Sequence, residues 1–222
     1  TTISESPVTP GVIWVGTDDG RVQVTKTHGA AWTDVTPAIE RAGGPRDRWV
    51  SRVVASSHRA DTAYVAKSGY RHDDFAPYLF KTADFGATWT AISKGLPDQP
   101  INVVWQDRKN AALLFVGNDK GVWVSVDDGE RWVRMKGNLP NVPVHDLLVH
   151  PREQDLVVGT YGRGLYITSV SALQQVDAKV LAADAHVFDI NPESFFQSSG
   201  WGNYDFYGDR HLSTPNEPNA IS

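Results

Sequence analysis

The sequence predicts an all-β chain: a β-propeller sector of about four blades over residues 1–176, then an extended C-terminal arm or linker over residues 177–222. Three observations carry that expectation. A turn of the form S/T-x-D-x-G-x-S/T-W occurs in full at Thr82-Ala83-Asp84-Phe85-Gly86-Ala87-Thr88-Trp89 and in decayed form twice more. The tryptophans that end the three copies stand at positions 32, 89 and 132, and these spacings bracket the ~40–50-residue period of four-stranded blades. Between the turns lie short apolar runs bounded by turn dipeptides, with no long stretch of helical periodicity. A single sheet of this kind cannot bury both faces, so such units stack radially as blades.

Each fixed position of the turn has a physical reason. Asp84 can accept hydrogen bonds from turn amides, Gly86 can take a positive φ, and the Trp89 indole can plug the turn from beneath. The stretch from Ser125 to Trp132 keeps the hydroxyl, Asp127, Gly129 and Trp132, with Arg131 in place of the second hydroxyl residue. The stretch from Thr25 to Trp32 keeps the hydroxyl, Gly29 and Trp32 but has Thr27 where the Asp is expected. Thr82, Asp84, Gly86, Trp89, Ser125, Asp127, Gly129, Trp132, Gly29 and Trp32 are therefore read as structural, because turn geometry already accounts for them.

In chain order, residues 12–16 (VIWVG) read as a strand, 17–20 (TDDG) as a turn, and 21–25 (RVQVT) as a strand of strict alternation. The polar connection 36–48 has room for a short helical turn before Gly43-Gly44-Pro45. Strands follow at 49–55, 62–66, 78–81 and 90–93, and residues 67–77 (KSGYRHDDFAP) read as a loop inserted on one rim. The third unit is the most regular, with strands at 101–105, 113–117, 121–125 and 133–135. A fourth, without the tryptophan turn, has strands at 144–150, 155–159 and 164–168. This gives two complete blades, 49–95 and 101–136, flanked by partial or atypical ones at 12–36 and 144–176. Closed rings have about 4 to 8 blades, so the chain is expected to be a sector of a larger ring. Residues 171–180 read as a short helix or a last outer strand. From 182 onward aromatics are scattered among Gly, Ser, Asn and Pro without a period, as in an extended arm or a partly disordered linker.

Composition narrows the function classes. A net charge of −5 argues against non-specific nucleic-acid binding and a polybasic membrane surface. No apolar run reaches the ~18 residues of a membrane span. With no cysteine, disulfides and thiolate metal sites are excluded. The chain starts at Thr1-Thr2 without Met and is read as a processed or excised piece of something longer.

The best functional candidates are the Arg71-His72-Asp73-Asp74 loop, where a base, an imidazole and two carboxylates are flanked by Tyr70 and Phe75, and Tyr161 with Arg163 in the TYGRG turn. Both could present cations and aromatics to a ligand. Asp47, Asp73, Asp74 and Asp146 are the carboxylates to test for catalysis, although no motif singles out a pair. Asp18-Asp19 and Asp127-Asp128 lack the ligand count of a calcium loop and are read as turn carboxylates. No cofactor or metal is expected.

The tryptophan turns resemble Asp-boxes, or BNR repeats, and with the phrases VIWVGTDDGRVQVT, GYRHDDFAPYLFKTADFGATW and PVHDLLVHPREQDLVVGTYGRGLYI the chain is similar to the propellers of sortilin-like and BNR "glycosyl hydrolase" proteins, relatives in architecture of YVTN and WD40 propellers. The likeness covers residues 6–176 and is to the closing blades of large bacterial members. It implies a scaffold that recognises a protein, peptide or glycan, without autonomous catalysis. The alternative is part of an exported glycoside hydrolase, xyloglucanase- or sialidase-like, using a carboxylate pair. It further implies partners in the remaining blades or neighbouring domains and a secreted, periplasmic or cell-surface location. No arginine cluster with a Tyr-Glu partner, as a sialidase would need, is visible.

Overall fold

A computed structural model describes residues 1–190. Blade 1 is a four-stranded antiparallel sheet of β1 (Thr2–Glu5), β2 (Ile13–Gly16), β3 (Val22–Thr25) and β4 (Thr33–Asp34), in that spatial order. The helix α1 (Thr36–Arg41), opened by Pro37, leads to blade 2. There β5 (Trp49–Ala55), β6 (Ala63–Gly69), β7 (Asp74–Thr82) and β8 (Thr90–Ala91) repeat the order. Blade 3 consists of β9 (Ile101–Gln106), β10 (Leu114–Asn118), β11 (Gly121–Ser125) and β12 (Val133–Arg134). Blade 4 has three strands, β13 (Val144–Val149), β14 (Asp155–Thr160) and β15 (Leu165–Ser169), followed by the short helices α2 (Ser171–Gln174) and α3 (Ala178–Ala182). The chain is thus an all-β propeller sector.

The first strands of successive blades pack on one another, β1 on β5, β5 on β9 and β9 on β13, so they form the inner edge. The core consists of three slabs between consecutive blades. Trp14, Val22 and Val24 meet Val50, Val53 and Phe80; Tyr64 and Leu79 meet Ile101, Val104 and Val116; Val103 and Phe115 meet Val144, Leu147 and Val158. Small residues on the second strands let the sheets approach. A Cβ on Gly16 would lie 2.3 Å from Val50 Cγ1, and one on Gly117 would lie 2.6 Å from Val144 Cγ1.

The tryptophan turns fold as their residues require. Thr82 Oγ1 accepts from the Gly86 amide at 3.0 Å, while Asp84 accepts from the Thr88 amide at 2.9 Å and the Thr88 hydroxyl at 2.6 Å. Phe85 and Gly86 both take positive φ, 57° and 85°, a pair of left-handed residues repeated at Asp128-Gly129 and His28-Gly29. The Trp89 and Trp132 indoles are buried, donating to the carbonyls of Gly86 at 3.2 Å and Ile92 at 2.7 Å.

Three expectations need correction. Blade 1 is complete rather than partial: β1 carries one large apolar residue in TISE, too little pattern to read, but its backbone pairs with β2 from Thr2↔Gly16 to Glu5↔Ile13. Residues 67–77 are not a loop but the end of a long hairpin, with β6 running to Gly69, a 3₁₀ turn at Tyr70–His72 and β7 starting at Asp74. Lys67 and Ser68 look like loop residues, yet both are buried, and Lys67 Nζ donates to the Pro45 carbonyl at 2.6 Å. Trp32 does not plug its turn: it is 43% exposed where Trp89 and Trp132 are 7%. Of the two readings of residues 171–180, the helical one is found, as the separate short helices α2 and α3.

One compact unit spans Thr1–Phe188 and a second begins at Asp189. Of the arm or linker expected over residues 177–222, the part from 191 onward lies outside the described residues. Among those described, no helix is long and apolar enough to cross a membrane.

Candidate ligand-binding rim

Antiparallel pairing sorts the loops onto two rims. In every blade the start of the first strand lies beside the end of the second, as in Thr2↔Gly16, Trp49↔Ser68, Ile101↔Asn118 and Val144↔Thr160. The turns between second and third strands therefore share one rim with the connections between blades, and the tryptophan turns lie on the other. All eight candidate ligand or catalytic residues, Asp47, Arg71, His72, Asp73, Asp74, Asp146, Tyr161 and Arg163, fall on or just inside the first rim, whereas the residues read as structural fall on the second.

On blade 2 the rim is ordered by Arg48. Its Nη1 meets Asp47 Oδ1 at 2.8 Å and its Nε meets Asp74 Oδ2 at 3.0 Å, so one guanidinium bridges two of the candidate carboxylates. The Tyr78 hydroxyl also donates to Asp74 at 3.0 Å. Burial alone would raise the Asp74 pKa, but the hydrogen bonds from Arg48 and Tyr78 outweigh it and hold the carboxyl below the usual range. Arg71 lies over the Trp49 ring, 5.0 Å from its centroid, which aims the guanidinium along the rim. Asp73 takes a left-handed conformation (φ 54°) to close the 3₁₀ turn, and Tyr70 and Phe75 are exposed on either side.

On blade 4, Tyr161 is exposed and stacks on His145 with centroids 5.3 Å apart. Its turn is closed by the Tyr161 amide on the Pro143 carbonyl at 2.9 Å and by the Thr160 hydroxyl on the Gly164 carbonyl at 2.6 Å. Arg163 is exposed on the same turn. Asp146 is met by Arg52 Nη2 at 2.5 Å, an ion pair that runs from blade 2 to blade 4 along the inner edge. Between the first strands of blades 1 to 3 lies a cleft of about 230 Å³ lined by Ser4, Arg52, Trp105, Gln106 and Arg108 among others.

The structure thus joins Asp47 to Asp74, and separately places Tyr161 and Asp146 within one blade, but it gives no contact between the blade 2 and blade 4 groups other than Arg52 with Asp146. Sequence reasoning passed over Arg48, Trp49, Arg52 and Tyr78 as site residues. Of these only Arg48, beside Asp47 in the polar PRDR run, carried a local signal. The tempting acidic pairs are committed elsewhere: Asp19 is paired with Thr17 and Arg21, and Asp128 with Lys81 and the Tyr64 hydroxyl of the neighbouring blade.

No family model and no curated protein matches the sequence. Solved structures do match in shape. A GH74 enzyme from Niastella koreensis superposes with a TM-score of 0.59 at 14% identity, covering 76% of this chain and 28% of its own. The GH74 xyloglucanase from Xanthomonas campestris gives 0.55 at 14% identity, covering 72% and 26%, and an ancestral GH74 enzyme gives 0.53 at 19% identity, covering 71% and 21%. The chain spans 21–28% of the length of these enzymes, and at such identities the likeness is one of fold: β-propeller architecture.

Proposed function

We propose that the chain is a propeller scaffold for recognition, and that its ligand surface is the rim carrying Arg71, His72, Asp73, Asp74, Tyr161 and Arg163. The observation that supports this most is the state of the carboxylates. Asp47 and Asp74 share Arg48, and Asp146 is held by Arg52. A glycosidase needs one of two facing carboxyls kept protonated as the acid. Against the raising effect of burial, hydrogen bonds from Arg48 and Tyr78 hold the Asp74 carboxyl below its usual range, and with Asp47 and Asp146 also engaged in ion pairs the set suits charge display and rim rigidity rather than proton transfer. The exposed aromatics Tyr70, Phe75 and Tyr161 beside Arg71 and Arg163 offer stacking faces and cations to a glycan or to an extended peptide.

The turns that resemble Asp-boxes keep the opposite rim rigid in this reading, further blades or domains of a longer exported protein adjoin the sector, and the likeness to sortilin-like proteins points to a binding rather than a hydrolytic role. The test is an array of glycans and peptides probed with the 222-residue chain. Arg71→Ala and Tyr161→Ala are each expected to weaken a hit by about tenfold or more, while Glu130→Gln on the other rim leaves it unchanged. Release of reducing ends from xyloglucan, abolished by Asp74→Asn, would overturn the reading in favour of the glycoside hydrolase.

A further inference from the structure

The tryptophan turns of blades 2 and 3 each pack on the preceding blade, and the two contacts use the same positions. Between blades 2 and 3 the Asp128 carboxylate takes the Lys81 ammonium and the Tyr64 hydroxyl, and a Cβ on Gly129 would lie 3.0 Å from Ile92. Between blades 1 and 2 the turn comes as close, with a Cβ on Gly86 only 2.7 Å from Val35 Cγ1. Val35 and Ile92 each donate their amide to the third strand, at the carbonyls of Val22 and Leu79, and the pairs Trp14↔Val24 and Tyr64↔Lys81 occupy matching registers. Trp14, Val24 and Phe85 thus stand where the next contact has Tyr64, Lys81 and Asp128. What is a polar lock in one contact is apolar in the other.

The apolar contact carries a cleft of about 310 Å³ on the outer edge of the sector. The turn at Phe85 forms one wall, α1 at Pro37 and Ala38 forms the other, and the buried Val24 and Val35 lie between them. The connection between blades 2 and 3 contains no helix to match α1. Two cations border the cleft. Lys26 Nζ lies over the Phe85 ring, 5.1 Å from its centroid, and Arg41 ends α1; both are exposed, and neither is in an ion pair among the described residues. The carboxylates of the lining turn their oxygens to the local backbone and hydroxyls: Asp34 accepts from the Thr36 amide at 2.9 Å, and Asp84 from both Thr82 and Thr88. Glu40, also on α1, is paired with Arg46. Every wall belongs to two consecutive blades and the connection between them, so the cleft does not depend on the outward faces of the sector. It shares no residue with the rim proposed above for ligand binding.

We propose that this cleft is a second binding site, and that it takes a small aromatic carboxylate, its ring between Phe85 and Pro37 and its carboxylate met by Lys26 and Arg41. The chemistry follows from the lining. Ligand pockets run to about 300–1,000 Å³, so this one has room for a single small body and not for an oligosaccharide chain. The side chains of Val24, Val35 and Pro37 offer no partner to a sugar hydroxyl, which would lose its hydrogen bonds to water on entering. An aromatic body instead meets the Phe85 ring in an edge-on or offset arrangement. An ammonium and a guanidinium at the mouth favour a carboxylate, which the guanidinium can grip with two parallel hydrogen bonds.

Calorimetric titration of the 222-residue chain with naphthoate at low ionic strength is expected to show a saturable site with a Kd of about 0.05–1 mM. Naphthylmethanol has the ring without the charge and acetate the charge without the ring; each is expected to bind at least about tenfold more weakly. Lys26→Met and Arg41→Met are each expected to raise the naphthoate Kd about tenfold. Ala87→Trp fills the cleft without removing a charge and is expected to abolish binding, whereas Lys94→Met, an exposed lysine in the connection between blades 2 and 3, leaves it unchanged. Wild-type thermal transitions establish that the variants fold. Absence of saturation up to about 5 mM naphthoate would overturn the proposal. So would equal binding of naphthylmethanol, or a Kd that the substitutions at Lys26, Arg41 and Ala87 do not move.

Discussion

The carboxylate of Asp84 and the amine of Lys67 show how burial and hydrogen bonding set the value of a charged side chain in this sector. Asp84 accepts from the Thr88 amide, the Thr88 hydroxyl and the Thr82 hydroxyl, which outweigh its partial burial and hold its pKa below the usual range. Asp84→Ala leaves the Thr88 amide without its partner and is expected to cost about 1–3 kcal/mol in urea unfolding. Lys67 is the opposite case. Burial pushes its pKa down from 10.5 to about 8, against the weaker pull of Glu40 and Asp47. Below pH 8 both folded and unfolded chains hold the proton, and the fold bears the cost of a buried cation. Between pH 8 and 10.5 only the unfolded chain holds it, so stability is expected to rise with pH across that window, by up to about 3 kcal/mol. Urea midpoints of wild type and Lys67→Met between pH 7 and 11 check this: the rise should vanish in the variant.

At the scale of the element, the second and third strands of blade 2 carry the lesson of the hairpin. A polar run read as a loop is paired strand as far as Gly69↔Asp74, because Lys67 spends its charge on the carbonyls of the 43–48 connection rather than on water. The turn left at its tip is short, and that brevity keeps Arg71 over Trp49 and Asp74 on Arg48. Glycines in the second strands measure sheet approach. Gly117→Val places a Cβ 2.6 Å from Val144 Cγ1 and 2.7 Å from Val103 Cγ1, and is expected to destabilise by about 1–3 kcal/mol or more. Gly159→Val, at the equivalent site of blade 4, is expected to change stability by no more than about 0.5 kcal/mol. Thermal unfolding of the two variants side by side checks the contrast.

For the whole molecule, stability is a sum over sheet-to-sheet interfaces. Among the described residues three are filled, by the slabs around Trp14, Tyr64 and Phe115.

The sequence by itself determined the architecture. Turn chemistry is local: the hydroxyl, Asp, Gly and Trp of residues 82–89 act on neighbours within a few positions, and their recurrence marks three of the four blades. It also brought the rim residues to notice, as charge and aromatics crowded into short turns. What only the tertiary structure decided is everything set by partners far apart in the chain. The pairing of β1 with β2 comes from backbone rather than pattern. Arg52 meets Asp146 ninety-four positions away, and Asp128 of blade 3 meets Lys81 of blade 2. Trp32 and Trp89 end turns of the same kind in sequence, yet one is exposed and the other buried. A side chain's burial depends on the sheet that faces it, and no local window of sequence contains that sheet.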